Sequence, residues 1–289
     1  MRLTRWKETV PFVLPLTILG SLLAAQPHNI ALDWRLVAII IANNLAIVYA
    51  FMINEIEDAP DDARDPSRAI RNPIITGEIS IRFGYNACRI VAAATLIFYA
   101  MGGWMVFGIG VATLLLSHLY SWRPVRLKAH PITDIVSHSL MLSGLLLLAG
   151  FFIYGTEPGI VWLVAAAVTL ISVYGQLYNQ LRDYDTDKAA GLNHTAIVLG
   201  ESNARIAMYL SIALAAVCML AAILQNVFPL WLGIVLLLSV GISMLFRPQT
   251  DMRGQKTIDA TGAAQVQGLV ITNITVVAWL AQVLFTQIF

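Results

Sequence analysis

Two sets of oxygen-bearing side chains recur along the chain at helical spacing: Asn54, Asp58 and Asp62, and later Asn179, Asp183 and Asp187. Each set closes a long apolar run. Residues four apart on an α-helix lie about one turn apart on nearly the same face, so each set reads as a ladder of three oxygen ligands. Carboxylates are costly in hydrocarbon, and acids at the ends of membrane helices call for a compensating cation or a water-filled cavity. Two ladders therefore suggest two divalent-metal sites facing one cavity. Neither ladder contains a thiolate or a histidine, a hard-cation donor set that suits Mg²⁺ rather than zinc or copper. Mg²⁺ typically uses one or two protein carboxylates, keeps some waters and completes its octahedron with substrate phosphate oxygens. Between the ladders runs Tyr120-Ser121-Trp122-Arg123-Pro124-Val125-Arg126-Leu127-Lys128, whose guanidinium and ammonium donors suit phosphate. A phosphorylated but otherwise lipid-soluble substrate would make these parts one site at the mouth of a membrane bundle.

The elements that must position these residues follow from composition. Of the 289 residues 58% are hydrophobic and 12% charged, with a mean hydropathy of +0.74. That excludes a soluble domain and defines an integral membrane protein. Cys88 and Cys218 lie in apolar runs without CxxC spacing, so neither a disulfide framework nor a zinc site is indicated. Arg2, Arg5 and Lys7 precede the first apolar run as in a signal peptide, but no small-residue cleavage pattern follows, and the run is expected to stay as the first span.

Runs long enough to cross a bilayer centre near residues 11–26, 36–54, 86–102, 103–120, 133–153, 159–179, 204–224, 228–246 and 262–287. The expected fold is thus all-α, with about nine transmembrane helices. With the amino terminus in the cytoplasm, Arg35 alone of the 18 Lys and Arg residues falls on the outer side, a strong positive-inside bias. Trp122-Arg123-Pro124 and Phe246-Arg247-Pro248 are separated by the same offset as the ladders, to within one residue. The chain therefore reads as one domain, 1–289, built from two four-helix pseudo-repeats (about 1–130 and 131–255) and a ninth helix (about 260–289). A parallel duplication brings both ladders to the cytoplasmic face of a central cavity. Some polar residues have simpler readings: His118 and His138 as helix-packing residues, His194 as a cap, Asp134 as a helix N-terminal acid, Arg64 and Arg68 as charge anchors, and Gly77 as a turn residue.

At these residues the chain resembles the UbiA superfamily of intramembrane prenyltransferases. The resemblance rests on Asn54-Glu55-Ile56-Glu57-Asp58-Ala59-Pro60-Asp61-Asp62, the stretch from Arg71 to Ser80, the stretch from Tyr120 to Lys128, and the stretch from Asn179 to Gly191. It implies a bundle of nine spans in which two Mg²⁺ ions hold a polyprenyl diphosphate donor. Asn54, Asp58 and Asp62 would serve one metal, and Asn179, Asp183 and Asp187 the other. Arg71, Arg126, Lys128 and Lys188 would contact the diphosphate. Three positions depart from the family pattern: Glu55 stands where Asp is common, Asn72 precedes Pro73 where Arg is usual, and Arg123 replaces a proline. Glu57, Asp61 and Asp65 stand beside the first ladder, and Asp61 is an alternative to Asp62.

The implied chemistry is transfer of an isoprenoid chain to a lipophilic acceptor (a quinone precursor, a tetrapyrrole, a lipid alcohol or a carotenoid) with release of diphosphate. Metal ions and basic side chains would stabilise the leaving diphosphate. An apolar cavity with aromatic walls, for which Tyr120 and Tyr178 are candidates, would shield the allylic cation. Membrane lipids surround such a protein, no nucleic-acid partner is expected, and no oligomeric state is assigned. An intramembrane terpene cyclase on the same scaffold is the alternative reading. A cation-coupled transporter is a weaker one, because the acids gather at one membrane face with no polar track across.

Overall fold

The computed structural model describes residues 3–4, 6–64, 66–159, 161–245, 248–252 and 256–288. Arg2, Arg5, Asp65, Phe246, Arg247 and Arg253, which entered the charge and repeat arguments, lie outside the described residues. The regular elements are helices: α1 (Trp6–Ala25), α2 (Trp34–Asp62), the single turn α3 (Pro66–Ala69), α4 (Ile81–Ala100), α5 (Trp104–Ser121), α6 (Thr133–Ser139), α7 (Leu145–Phe152), α8 (Val161–Arg182), α9 (Tyr184–Ala189), α10 (Thr195–Leu199), α11 (Glu201–Leu224), α12 (Leu232–Leu245) and α13 (Ala260–Ile288). The chain is a multi-pass, all-helical integral membrane protein.

Among the described residues, eight stretches are long and apolar enough to cross a bilayer. The run expected at 228–246 forms α12, of 14 residues, about 21 Å long at 1.5 Å per residue. Pro229 and the left-handed Asn226 (φ 56) hold the preceding residues in turns, so the apolar run is longer than its helix. The run expected at 133–153 is one span in three pieces, with a π-helical segment, Leu140–Gly144, between α6 and α7. Such segments are frequent at functional sites.

Packing explains why α2 can carry polar residues. Asn43 on α2 is fully buried; its Nδ2 donates to Thr17 Oγ1 (2.8 Å) and Leu146 O (3.0 Å), and its Oδ1 accepts from Tyr99 Oη (2.7 Å). One amide thus ties α1, α2, α4 and α7. The α1–α7 contact depends on small residues, because a Cβ on Gly20 would stand 2.1 Å from Leu147 O and one on Gly150 2.3 Å from Thr17 O. At the end of α2 away from the ladders, Asp33 accepts from the Arg35 backbone (3.0 Å), and the Arg35 guanidinium lies 4.7 Å over the Tyr154 ring.

The two ladder helices are about half buried, and each keeps a half-exposed stripe. On α2 it runs through Asn44, Val48, Phe51, Asn54 and Asp58; on α8 it runs through Thr169, Ser172, Gly175 and Asn179 and reaches Asp183 beyond the helix end. Helical spacing makes each stripe one continuous face leading from a ladder into the bundle.

Candidate functional site

The first ladder sits on the last turns of α2. Pro60 has no N–H to give Ile56, and the carbonyls flanking that gap take other donors: Glu55 O accepts from Asn72 Nδ2 (2.9 Å) and Glu57 O from Arg123 Nε (2.9 Å). The basic loop returns from α5 over this end. Arg126 (φ 46) and Ile132 (φ 69) both adopt positive φ, which is strained for a β-branched isoleucine, and between them a 3₁₀ turn, Leu127–Ala129, presents Lys128.

The loop and ladder meet at one point. Lys128 Nζ donates to Asn54 Oδ1 (2.8 Å) and lies 2.6 Å from each Asp58 carboxylate oxygen. Arg126 Nη2 joins Asp58 Oδ1 (3.2 Å) to Asp61 Oδ2 (2.6 Å), and Arg123 Nη2 also reaches Asp61 (3.0 Å). Burial pushes the Lys128 ammonium below the ordinary lysine range, more than the Asp58 carboxylate pushes it up. Burial also opposes the Arg126 charge, but its hydrogen bond to Asp61 and the nearby Asp58 charge outweigh that and raise its pKa. Asp62 turns the other way, and its Oδ2 accepts from the buried Asn72 Nδ2 (3.0 Å).

The second ladder is not carried by one helix. Sequence spacing predicts a single tail, but α8 ends at Arg182 and α9 starts at Tyr184, with Asp183 at the break (φ −93, ψ 6). Backbone bonds Asp183 N→Asn179 O (3.1 Å) and Asp187 N→Asp183 O (2.9 Å) still bridge the rungs. Arg182 Nε and Nη2 hold the two Asp183 oxygens at 3.0 and 2.8 Å, and Nη1 reaches Asn179 Oδ1 at 3.4 Å. Asp187 Oδ2 lies 3.0 Å from His194 Nε2. His194 occupies the position before α10 but makes no side-chain cap, so its partner is the ladder rather than the helix.

Asp134 does more than favour a helix N-terminus. It is fully buried and accepts from Gln180 Nε2 (2.6 Å), Thr195 N (2.8 Å) and the Thr195 hydroxyl, fastening the segment that brings His194 to Asp187. Gln180 Oε1 accepts from Ala196 N (3.0 Å). Sequence reasoning missed Arg182, Asp251, Gln176 and Gln180 as parts of the site; the i, i+4 spacing of Gln176 and Gln180 on the ladder helix was the available signal.

Adjacent residues of α5 link the two halves, because Ser121 Oγ donates to Asn54 Oδ1 (3.0 Å) while Tyr120 Oη accepts from Gln176 Nε2 (3.4 Å). Tyr178, by contrast, is fully buried at the start of α13 beside Gly262, and its hydroxyl accepts from Ile258 N (3.0 Å) just before that helix, so it walls no open cavity. Arg71 is exposed. Lys188 is exposed too, 5.8 Å over the Tyr184 ring. Neither is brought to a ladder carboxylate by a hydrogen bond among the described residues.

The donor chemistry fits a divalent cation. At the first ladder three oxygens already converge on the Lys128 ammonium, a side chain standing in for a cation. Among the described residues no three His, Cys, Asp or Glu side chains are poised to hold a metal alone, so substrate oxygens and water would have to complete the shell, as Mg²⁺ prefers.

The bundle thus holds one acidic ladder paired with a basic loop, and a second acidic ladder joined to it through α5. The UbiA prenyltransferase family matches residues 13–265, and the chain belongs to that family. Its fold is similar to that of a UbiA homolog from Archaeoglobus fulgidus bound to GPP and Mg²⁺, with a TM-score of 0.75, 22% identity and 97% of each chain covered. The apo UbiA homolog from Aeropyrum pernix K1 gives a TM-score of 0.64 at 19% identity, covering 97% of this chain and 98% of that one. Among curated relatives, the lycopene elongase/hydratase of Haloarcula japonica is 29% identical over 161 residues, 54% of this chain and 51% of that protein. The lycopene elongase/hydratase of Corynebacterium glutamicum is 27% identical over 208 residues, 68% of each chain. The chain thus spans about half the length of the first relative and about two thirds of the second.

Proposed function

We propose that this protein is a Mg²⁺-dependent prenyltransferase that moves an isoprenoid chain from its diphosphate to a lipophilic acceptor and releases diphosphate. The observation that carries the reading is the convergence of Asn54 Oδ1 and both Asp58 oxygens on Lys128: a cation-accepting oxygen set and a phosphate-binding cation held together at the mouth of a half-exposed stripe. Of the acceptor classes, a carotenoid-type polyene is favoured, because the relatives named above are lycopene elongase/hydratases.

Asn54, Asp58 and Asp62 would hold one ion, and Asn179, Asp183 and Asp187 a second. When bound, Mg²⁺ would supply neutralisation of the charge that develops on the leaving diphosphate. Lys128 and Arg126, now paired with Asp58, would trade carboxylate for phosphate oxygens when the donor arrives and stabilise the same charge. Arg71 and Lys188 keep their diphosphate role on the family pattern alone. Tyr120, at the bundle end of the basic loop, would present its ring to the allylic cation. The stripes on α2 and α8 would exclude water from the prenyl tail. We read the ladder ends and the amino terminus as cytoplasmic, from the distribution of Lys and Arg, and the two halves as parallel repeats, from the common offset of the ladders.

The test is diphosphate release by the purified protein in detergent with allylic diphosphates of increasing length, in Mg²⁺ or EDTA, with and without a panel of acceptors. Mg²⁺-dependent release coupled to an acceptor adduct is expected, and Asp58→Ala and Asp183→Ala should abolish it. A cyclised product without any acceptor would replace the transferase reading with a cyclase.

A further inference from the structure

Below the second ladder, α8 carries one more polar side chain into the bundle. Gln176 precedes Asn179 by three residues and so lies near its face, about one turn deeper. The residue is 8% exposed. Its Nε2 makes the long bond to Tyr120, whereas its Oε1 is buried with no protein partner. Ser139 Oγ is likewise buried and unpartnered. A buried acceptor or hydroxyl without a partner is costly and is commonly satisfied by an ordered water.

The register of two antiparallel helices brings these groups to one level. Gln180 donates to Asp134 (2.6 Å) at the ladder end, and Ser143 Oγ donates to Val168 O (2.8 Å) further in. Ser139 lies between Asp134 and Ser143, which sets it within about one helical turn of Gln176. It also immediately precedes the π-helical segment. Beside this level is open space: apart from its chain neighbours and the backbone of its own helix, nothing lies within 4 Å of where a Cβ on Gly175 would stand, and Gly175 is one turn below Asn179 on the half-exposed stripe. The Tyr120 and His138 rings, with centroids 6.0 Å apart, flank the same level.

We infer that Gln176 Oε1, Ser139 Oγ and the Tyr120 hydroxyl bind one water molecule next to the reacting carbon, and that this water captures a carbocation formed there. The inference rests on the polyene-acceptor reading. An aromatic acceptor regains its stability by losing a proton, but an alkene that attacks the prenyl carbon keeps a positive charge on its own chain. In the step proposed, the donor C–O bond breaks and diphosphate leaves with the electron pair. The acceptor double bond then forms the new C–C bond, and the resulting cation takes the water oxygen as its fourth substituent. The departed diphosphate accepts the proton lost from that oxygen. The product is an elongated polyene bearing a tertiary hydroxyl, and the competing outcome is proton loss to a new double bond.

The experiment runs the full protein with donor, Mg²⁺ and an acyclic polyene in water enriched in the heavy oxygen isotope, and reads by mass the fraction of elongated product carrying labelled hydroxyl. Gln176→Leu and Ser139→Ala should each lower that fraction roughly tenfold, the scale of one lost hydrogen bond, and Ser139→Thr should restore it. An unchanged fraction in both variants, or elongated wild-type product without label, overturns the water site and leaves the transferase reading intact. If the wild type elongates no polyene yet releases diphosphate with Mg²⁺, the acceptor reading fails instead, and the donor-alone reaction decides the water site. Labelled allylic alcohol that falls in both variants supports it, and any other result overturns it.

Discussion

Arg182 Nη1 lies 2.6 Å from Asp251 Oδ2, with both side chains almost excluded from solvent, and the same guanidinium holds Asp183 at 2.8 Å. The middle rung of the second ladder is therefore oriented through a residue on the segment between α12 and α13. Removing one member of a buried ion pair strands the other's charge and costs about 3 kcal/mol or more. Asp251→Ala should lower the unfolding temperature in detergent and raise the KM for the donor, because Arg182 loses one of its two anchors. Arg182→Lys should not substitute, since an ammonium cannot span both carboxylates in the fork geometry. If Asp251→Ala leaves both the unfolding temperature and KM unchanged, the pair does not position the ladder.

Asn72 is 1% exposed, with its amide shared between Glu55 O and Asp62 Oδ2. Asn72→Asp would set a second carboxylate against Asp62, and like charges at that separation repel. The variant should be destabilised in EDTA and regain part of the loss in Mg²⁺, whereas Asn72→Leu should be destabilised equally in both. Differential scanning fluorimetry of the two variants, with and without Mg²⁺, checks this. Equal behaviour would mean that Asp62 does not face a cation.

Of the first ladder, Asn54 and Asp58 were legible in the sequence because i, i+4 oxygens on one helix need no tertiary information to share a face, whereas the turn of Asp62 towards Asn72 depends on a contact with the following loop. The second was legible only as composition. No Pro or Gly marks the break at Asp183, and what accompanies it, the reach of Arg182 to Asp251, is a long-range contact. Asp134 looked like an ordinary helix-start acid because its partners, Gln180 and Thr195, are distant in the chain. Tyr178 has the same local signals as Tyr120, being aromatic and next to a polar motif. Only the position of α13 decides that it is a packing residue. The span expected at 228–246 was counted from hydrophobicity, which does not register that Pro229 and Asn226 keep its first residues in turns.

Asp259, just before α13, accepts from Thr261 N (2.8 Å) and Tyr209 Oη (3.0 Å). Burial pushes its pKa up, but these bonds and the Thr261 hydroxyl bond, with nearby Arg205, outweigh it and hold the carboxyl below its ordinary value. A depressed folded-state pKa contributes stability that is fully present above the unfolded value, near 3.8, and is lost as pH falls through the folded value. The wild type should therefore lose more stability than Asp259→Asn as pH is lowered from 6 towards about 3. Parallel curves from thermal unfolding in detergent would refute the assignment.

Lys128 occupies the point where Asn54 and Asp58 direct three oxygens, so on the proposed function it would, in the absence of donor, compete with a metal ion for that set. Lys128→Met removes the competing charge and leaves Asp58, in its partly buried site, paired only with Arg126 through Oδ1. Two effects of opposite sign follow. Affinity for Mn²⁺ without substrate, read by electron paramagnetic resonance, should rise about tenfold, the scale of one charge-assisted hydrogen bond released. Turnover should fall by roughly 10²–10³, because a donor of positive charge to the leaving diphosphate is gone. Lys128→Arg should restore part of the turnover but little of the exclusion, since a guanidinium cannot place one nitrogen on all three oxygens. A variant that loses turnover without gaining metal affinity would show that Lys128 holds the loop in place rather than standing at the metal position.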